Sequence, residues 1–321
     1  MAGFQCKYKN AKEGLIMKNI SIGKGEISAS EISLGCMRLP SLLENEAKEL
    51  ISTALDEGIN FFDNADVYGG GKCEEIFSKA LGKSSGIREK IIIQTKCGIR
   101  QGYYDFSKEH IQEAVDGSLT RLDTGYIDIL LLHRPDALVE PEEVAEAFTK
   151  LHSSGKVKYF GVSNQNPMQI ELLSRYLNQK IIVNQLQLSI TNTGMIDAGL
   201  NVNMQISPSL DRDGSILDYC RLKDITIQAW SPFQYGFFEG IFLGNKKFPE
   251  LNSKIDEIAA LKGVPNTAIA VAWILRHPAK MQAIVGTMNK ERLKDICKAS
   301  GVALTRKEWY EIYLAAGNKL P

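Results

Sequence analysis

The chain has 321 residues, of which 38 are basic and 38 acidic, with 44% hydrophobic and 24% charged residues. Balanced charge gives no electrostatic reason to expect nucleic acid or an anionic membrane as partner, and the composition is that of an ordinary soluble globular protein. The length suits two small domains or one barrel of roughly 250 residues with additions.

Cysteines at 6, 36, 73, 97, 220 and 297 are scattered, with no C-x-x-C pair and no zinc-like spacing. No metal is expected, and a reducing, cytoplasmic compartment is the simplest reading. The start lacks a signal peptide's apolar core, and the run Ala268–Leu275 is about half of the ~18 residues a membrane span needs. Residues 1–16 are polar and mixed and read as a possible disordered extension, with residues 17–321 forming one barrel-like unit.

In chain order, Lys18–Ile27, centred on Gly23-Lys24-Gly25, predicts a small hairpin. Eight short runs rich in Ile, Leu, Val or aromatics then predict strands: Ile32–Met37, Ile59–Asn64, Lys90–Lys96, Tyr126–His133, Tyr159–Ser163, Ile181–Leu186, Ile225–Trp230 and Ala283–Gly286. Helical patterns separate them. Ser107 can cap a helix carrying Ile111, Val115 and Leu122, and Pro141 and Pro167 stand at helix starts. Two helices, Leu251–Leu261 and Pro265–Arg276, follow a long apolar loop from Gln234 to Pro249. Apolar strands alternating with helices imply a parallel sheet covered on both faces. An open dinucleotide-binding sheet would want G-x-G-x-x-G after its first strand. The chain instead has Gly35-Cys36-Met37-Arg38-Leu39-Pro40, so the expected fold is a single (β/α)8 TIM barrel with an N-terminal hairpin and two extra helices.

On such a barrel the carboxyl ends of the strands converge on one face, where active sites are built. Those ends carry Asp63 and Tyr68, Lys96, and His133. A carboxylate can hold the ammonium of Lys96, and that cation favours phenolate on Tyr68, lowering its pKa from about 10 so that it can donate a proton.

The string Phe61-Phe62-Asp63-Asn64-Ala65-Asp66-Val67-Tyr68-Gly69 resembles the second-strand signature of the aldo-keto reductases. Lys96, His133-Arg134-Pro135-Asp136, Gly161-Val162-Ser163-Asn164 and Trp230-Ser231-Pro232 resemble the family's other active-site segments, in unbroken order. The closest likeness is to small bacterial members with a Lys-Cys-Gly-Ile segment after the third strand. The resemblance implies reduction of an aldehyde or ketone, with Tyr68 as general acid, Lys96 tuning it, Asp63 anchoring Lys96, and His133 orienting the carbonyl.

It also implies a nicotinamide cofactor, usually NADPH. Ser163, Asn164 and Gln185 suit its carboxamide, and Trp230, followed by Ser231, Pro232 and Phe233, suits its ring. Gly286-Thr287-Met288 leads into a helix whose backbone amides suit phosphate. Arg292, with Asp295 nearby, matches the position that grips the 2′-phosphate. Many relatives have Lys where this chain has Gly286 and Asn where it has Ile296, so NADH stays possible while NADPH is favoured. The expected partner is a small carbonyl compound, aromatic or dicarbonyl aldehydes being favoured, and oligomeric state is not legible. Met37, Arg38, Tyr103, Tyr104, Phe106 and the loop at 235–242 are candidates for the cleft mouth. Two other readings stay open: a Schiff-base enzyme using Lys96, and a cofactor-binding, redox-sensing regulatory subunit with slow turnover. Cys97 beside Lys96 reads as an inert buried thiol.

Overall fold

The computed structural model describes residues 17–82 and 86–321, so the expected N-terminal extension lies outside the described residues. Strands β1 (Asn19–Ile22) and β2 (Ile27–Ser30) form the antiparallel hairpin. It ends later than predicted, because Gly23, Lys24 and Gly25 all take positive φ and the turn extends to Glu26 before the return strand begins.

All eight predicted barrel strands form. They are β3 (Ile32–Gly35), β4 (Phe61–Asp63), β5 (Ile92–Cys97), β6 (Ile127–Leu132), β7 (Val157–Ser163), β8 (Ile181–Gln187), β9 (Thr226–Trp230) and, after a small ribbon of β10 (Gln234–Tyr235) and β11 (Gly240–Ile241), β12 (Gln282–Val285). They close in parallel in the order β12-β3-β4-β5-β6-β7-β8-β9. Their near-continuous apolar character follows from burial on both faces. Met37, Asn64, His133 and Gly286, expected within the strands, lie just past the ladders, where the chain turns out.

The connecting helices are α1 (Glu44–Asp56), α2 (Lys72–Leu81), α3 (Lys108–Arg121), α4 (Pro141–Ser153), α5 (Pro167–Ser174), α6 (Gly194–Leu200), α7 (Ile216–Leu222), α8 (Pro249–Lys262), α9 (Asn266–Leu275), α10 (Lys290–Cys297) and α11 (Arg306–Ala315). Ser107 caps α3 by accepting a bond from the His110 amide at 3.3 Å, and Pro141 and Pro167 open α4 and α5 as expected. Helices α8 and α9 are the expected extra pair. Helix α11, which the sequence pattern did not reveal, is locked to α9 by Trp309 stacked on Trp273 with ring centroids 4.7 Å apart. Each indole donates to the other residue's carbonyl, at 3.1 and 2.9 Å. Among the described residues no single helix is long and apolar enough to cross a membrane.

The barrel is apolar at one end and polar at the other. At the amino ends of the strands, Ile22 and Ala29 of the hairpin pack with Phe61, Ile92, Ile129, Ile182 and Val183. Two residues further along the inward-facing series stand Asp63, Gln94 and Leu131, and beyond them Lys96 and His133, because strand side chains alternate faces. Gly161 sits where β7 and β8 crowd: a Cβ there would lie 2.6 Å from Leu131 Cδ2 and 2.8 Å from the Val183 carbonyl oxygen. Backbone cannot yield as a side chain can, so Gly161→Ala should lower stability by about 1–3 kcal/mol. Urea unfolding checks this, and an unchanged midpoint counts against it.

Candidate active site

The four side chains singled out at the strand ends meet. Lys96, fully buried, places Nζ 2.8 Å from Asp63 Oδ2, 2.8 Å from the Asn64 carbonyl and 3.1 Å from the Tyr68 hydroxyl. Asp63 ends β4, and Lys96 lies near the end of the neighbouring β5, so adjacent strand ends bring the pair together. Tyr68 stands in the tight glycine turn 68–71 that leads into α2, with Gly69, Gly70 and Gly71 all at positive φ. The His133 ring meets Tyr68 edge-on with centroids 5.6 Å apart.

Electrostatics set the protonation states. Burial, the largest influence on Tyr68, pushes its phenol above the ordinary tyrosine range. Lys96 pulls it back only in part, and Asp63 adds to the rise. This corrects the expectation of a lowered pKa: a cation 3.1 Å away is outweighed by desolvation and by the carboxylate that holds it. Desolvation works against the Lys96 ammonium too, but Asp63 and Tyr68 together raise it, so it stays charged. Burial, with Lys96 and Arg134 nearby, holds His133 well below the usual histidine range, so its ring is neutral. Its Nδ1 is buried with no partner among the described residues.

Asp63 is also held from below. Its Oδ1 accepts from Gln94 Nε2 at 2.6 Å and from Gln185 Nε2 at 2.9 Å. Both amides also donate to Gln228 Oε1, at 2.8 and 3.2 Å, and Gln228 Nε2 donates to Gln282 Oε1 at 2.8 Å. Gln185 was expected at the site; Gln94, Gln228 and Gln282 were not. The only mark they leave in the sequence is weak: each is a glutamine next to an apolar residue in a short strand whose residues are nearly all buried.

A cleft of about 560 Å³ lies over these residues. Asp63, Tyr68, His133, Ser163, Asn164, Gln185, Trp230, Ser231, Pro232, Phe233, Gly286, Thr287 and Arg292 all line it. Met288 does not: it packs against the core. Asp295 also stands apart from it, pairing with Lys298 on its own helix at 2.7 Å. Ile296, where many relatives carry Asn, is fully buried in the core.

Of the mouth candidates, Met37, Arg38, Phe238 and Ile241 line the cleft. Tyr103, Tyr104 and Phe106 do not. Residues 99–104 fold back on themselves through the Ile99–Tyr104 bridge, and Phe106 is buried in the core. Phe237 and Phe238 sit at the tip of the β10–β11 ribbon. Phe238 stacks on Trp230 at 5.9 Å, and Phe237 meets it edge-on at 6.4 Å. Trp230 Nε1 donates to Asn164 Oδ1 at 3.2 Å, which fixes the indole plane. Cys97 is buried, and burial pushes its thiol well above the ordinary range, leaving it the protonated, unreactive form.

A barrel with this constellation at its carboxyl face can be compared with known proteins. A model of the Aldo/keto reductase family matches residues 31–314. The chain belongs to the aldo-keto reductase family. It is 37% identical to the Bacillus subtilis "uncharacterized oxidoreductase YcsN", covering 93% of this chain and 98% of that one. It is 35% identical to a 6-dehydroglucose reductase of Agrobacterium fabrum over 84% of this chain and 87% of the relative. In fold it is similar to the crystal structure of a thermostable aldo-keto reductase, Tm1743, in complex with the inhibitor epalrestat. The TM-score is 0.75 with 24% identity, over 93% of this chain and all of that one. The aldo-keto reductase cleft of this chain is built from an ion pair, a phenol and a neutral imidazole, a set suited to moving a proton onto an oxygen.

Proposed function

We propose that this aldo-keto reductase reduces an aldehyde or ketone to an alcohol with NADPH, Tyr68 delivering the proton. The observation that carries the reading is the chain Asp63–Lys96–Tyr68, buried and continuous at 2.8 and 3.1 Å, opening on the cleft beside neutral His133. Tyr68 keeps its proton at neutral pH and so has one to give. As it does, negative charge grows on the phenol oxygen, where the Lys96 ammonium stabilises it more than it stabilised the neutral phenol. The neutral His133 ring can direct one N–H at the carbonyl oxygen and fix its approach.

The residues fit the cofactor. Both amide hydrogens of Gln185 are spent on Asp63 and Gln228, so its Oε1 is the atom left for a carboxamide N–H. Asn164 spends one amide hydrogen on Ser163 Oγ at 2.7 Å and keeps the other for a carboxamide oxygen. Bound nicotinamide would supply the hydride. Where α10 begins, Asn289 Oδ1 already accepts from the Arg292 amide at 2.9 Å, so fewer backbone donors remain there for phosphate than an uncapped helix would offer. The Arg292 side chain, exposed and without an ion pair among the described residues, is the cation suited to a 2′-phosphate. Arg292→Ala should weaken NADPH binding roughly 10- to 100-fold, the worth of a charge-assisted bond, while NADH binding stays unchanged. Fluorescence titration with both cofactors checks this; equal losses for both count against it.

The cleft's Arg38, Arg134 and Trp230 offer cationic donors beside an aromatic face, with the Arg134 guanidinium 5.8 Å from the Trp230 ring. That chemistry suits a polar or hydroxylated aldehyde as well as an aromatic one, as does the likeness to the Agrobacterium fabrum relative named for 6-dehydroglucose. The test is NADPH consumption by the purified protein with aromatic, dicarbonyl and sugar-derived aldehydes. Consumption with some of them is expected, and none across the panel overturns the proposal.

A further inference from the structure

We infer that Gln94 is a positioning residue for this reaction, its amide holding the Asp63 carboxylate in place so that Lys96 stays aimed at Tyr68. The inference rests on the proposed function and goes beyond it to a residue in the middle of the barrel.

The direction of the amide chain is fixed from its far end. Ser30 offers a backbone carbonyl, which can only accept, and Gln282 Nε2 donates to it at 2.7 Å. Gln282 Oε1 must therefore accept from Gln228 Nε2, which turns Gln228 Oε1 toward Gln94 and Gln185. Both of those then present N–H groups to Asp63 Oδ1. Four side-chain amides thus cross the barrel interior between two acceptors, the Ser30 carbonyl and the Asp63 carboxylate, and the NH2 groups of Gln94 and Gln185 are where the donors turn from one to the other. Gln94 and Gln228 reach each other from strands β5 and β9, on opposite sides of the barrel.

This centre of the barrel is usually filled by branched aliphatic side chains. A buried polar group costs stability unless it is satisfied, and Gln94 is not fully satisfied: its Oε1 is buried with no partner among the described residues. The residue is held by its two donors alone. Of the contacts Gln94 makes, the shortest is the 2.6 Å bond to Asp63. With Gln185 it fills Oδ1, leaving Oδ2 to Lys96 at 2.8 Å, so the carboxylate cannot turn and the ammonium has one place to sit.

The test is Gln94→Met, which keeps length and removes both donors. It should be read through the pH dependence of benzaldehyde reduction with NADPH and benzyl alcohol oxidation with NADP+. The groups facing Tyr68 are Lys96, Asp63, Cys36 and the His133 ring. His133 is faced in turn by Lys96 and Arg134, and all of these remain in the variant. Loss of the amide's positive end leaves the Asp63 charge less offset at Tyr68, so phenolate is disfavoured. The limb attributable to Tyr68 should move to higher pH by about 0.5–1 unit, in both directions of reaction. Gln228→Met, one amide further from Asp63, should move it the same way by less. It also reads the inference should Gln94→Met fail to fold. Lowered unfolding midpoints with the limb in place for both variants would reduce the chain to packing and overturn the inference alone, provided Tyr68→Phe abolishes turnover. Full turnover after Tyr68→Phe overturns the proposed function, and this inference with it.

Discussion

Replacing Tyr68 with Phe should cut carbonyl reduction by about 10²- to 10⁴-fold, the usual worth of a positioned general acid, while leaving cofactor binding within about twofold. Among the described residues the hydroxyl makes one hydrogen bond, to Lys96 at 3.1 Å, and Lys96 keeps Asp63 and the Asn64 carbonyl when it is lost. The ring itself, edge-on to His133 at 5.6 Å, is retained. Stability should therefore change by no more than about 1 kcal/mol, and the loss should fall on kcat. Steady-state kinetics with a fluorescence titration of NADPH separates the two. A variant that keeps its rate, or one that loses activity only because NADPH no longer binds, contradicts the assignment of the proton to this phenol.

The assignment also gives Lys96 a part although it fails to bring the phenol's pKa below its ordinary value. An acid for carbonyl reduction must hold its proton until hydride arrives and then release it. Burial ensures the first, and a fixed ammonium beside the oxygen favours the second. The residue pattern reveals the partner of Tyr68 but not how deeply it is buried, and at Tyr68 burial is the larger influence. That is why the expected direction of the shift was reversed.

Much else was legible for a simple reason. Asp63, Lys96 and His133 each lie at or just past the end of a short apolar run, and strand ends on a parallel barrel converge whatever the loops do. All eight strands could be read because burial on both faces leaves short runs rich in Ile, Leu, Val or aromatics, even where an inward Asp, Gln or Lys interrupts them. The less regular parts could not. Helices α6 and α7 are short, seven residues each, and carry too few turns for a period. Tyr103 and Tyr104 looked like a cleft wall because aromatics after a strand usually are. Only the bridge from Ile99 to Tyr104 shows that the segment closes on itself. The glutamines were hidden differently. One glutamine in a strand reads as tolerated polarity, and only closure of the barrel shows that Gln94, Gln185, Gln228 and Gln282 point at one another.

The second large effect concerns the ion pair. Lys96→Met should abolish reduction and should also destabilise the fold by about 3–5 kcal/mol, because it leaves a buried carboxylate with no counter-cation. Asp63, 3% exposed, would retain only the two amide donors on Oδ1. Adding Asp63→Asn removes that stranded charge, and the new side-chain carbonyl can still accept from Gln94 and Gln185. The double variant should thus regain most of the lost stability in urea unfolding while remaining inactive. The pair would then be a device for the chemistry rather than for the fold, in line with the small net worth of buried salt bridges relative to neutral replacements. A double variant no more stable than Lys96→Met alone would instead place the damage in the packing around the lost lysine stem.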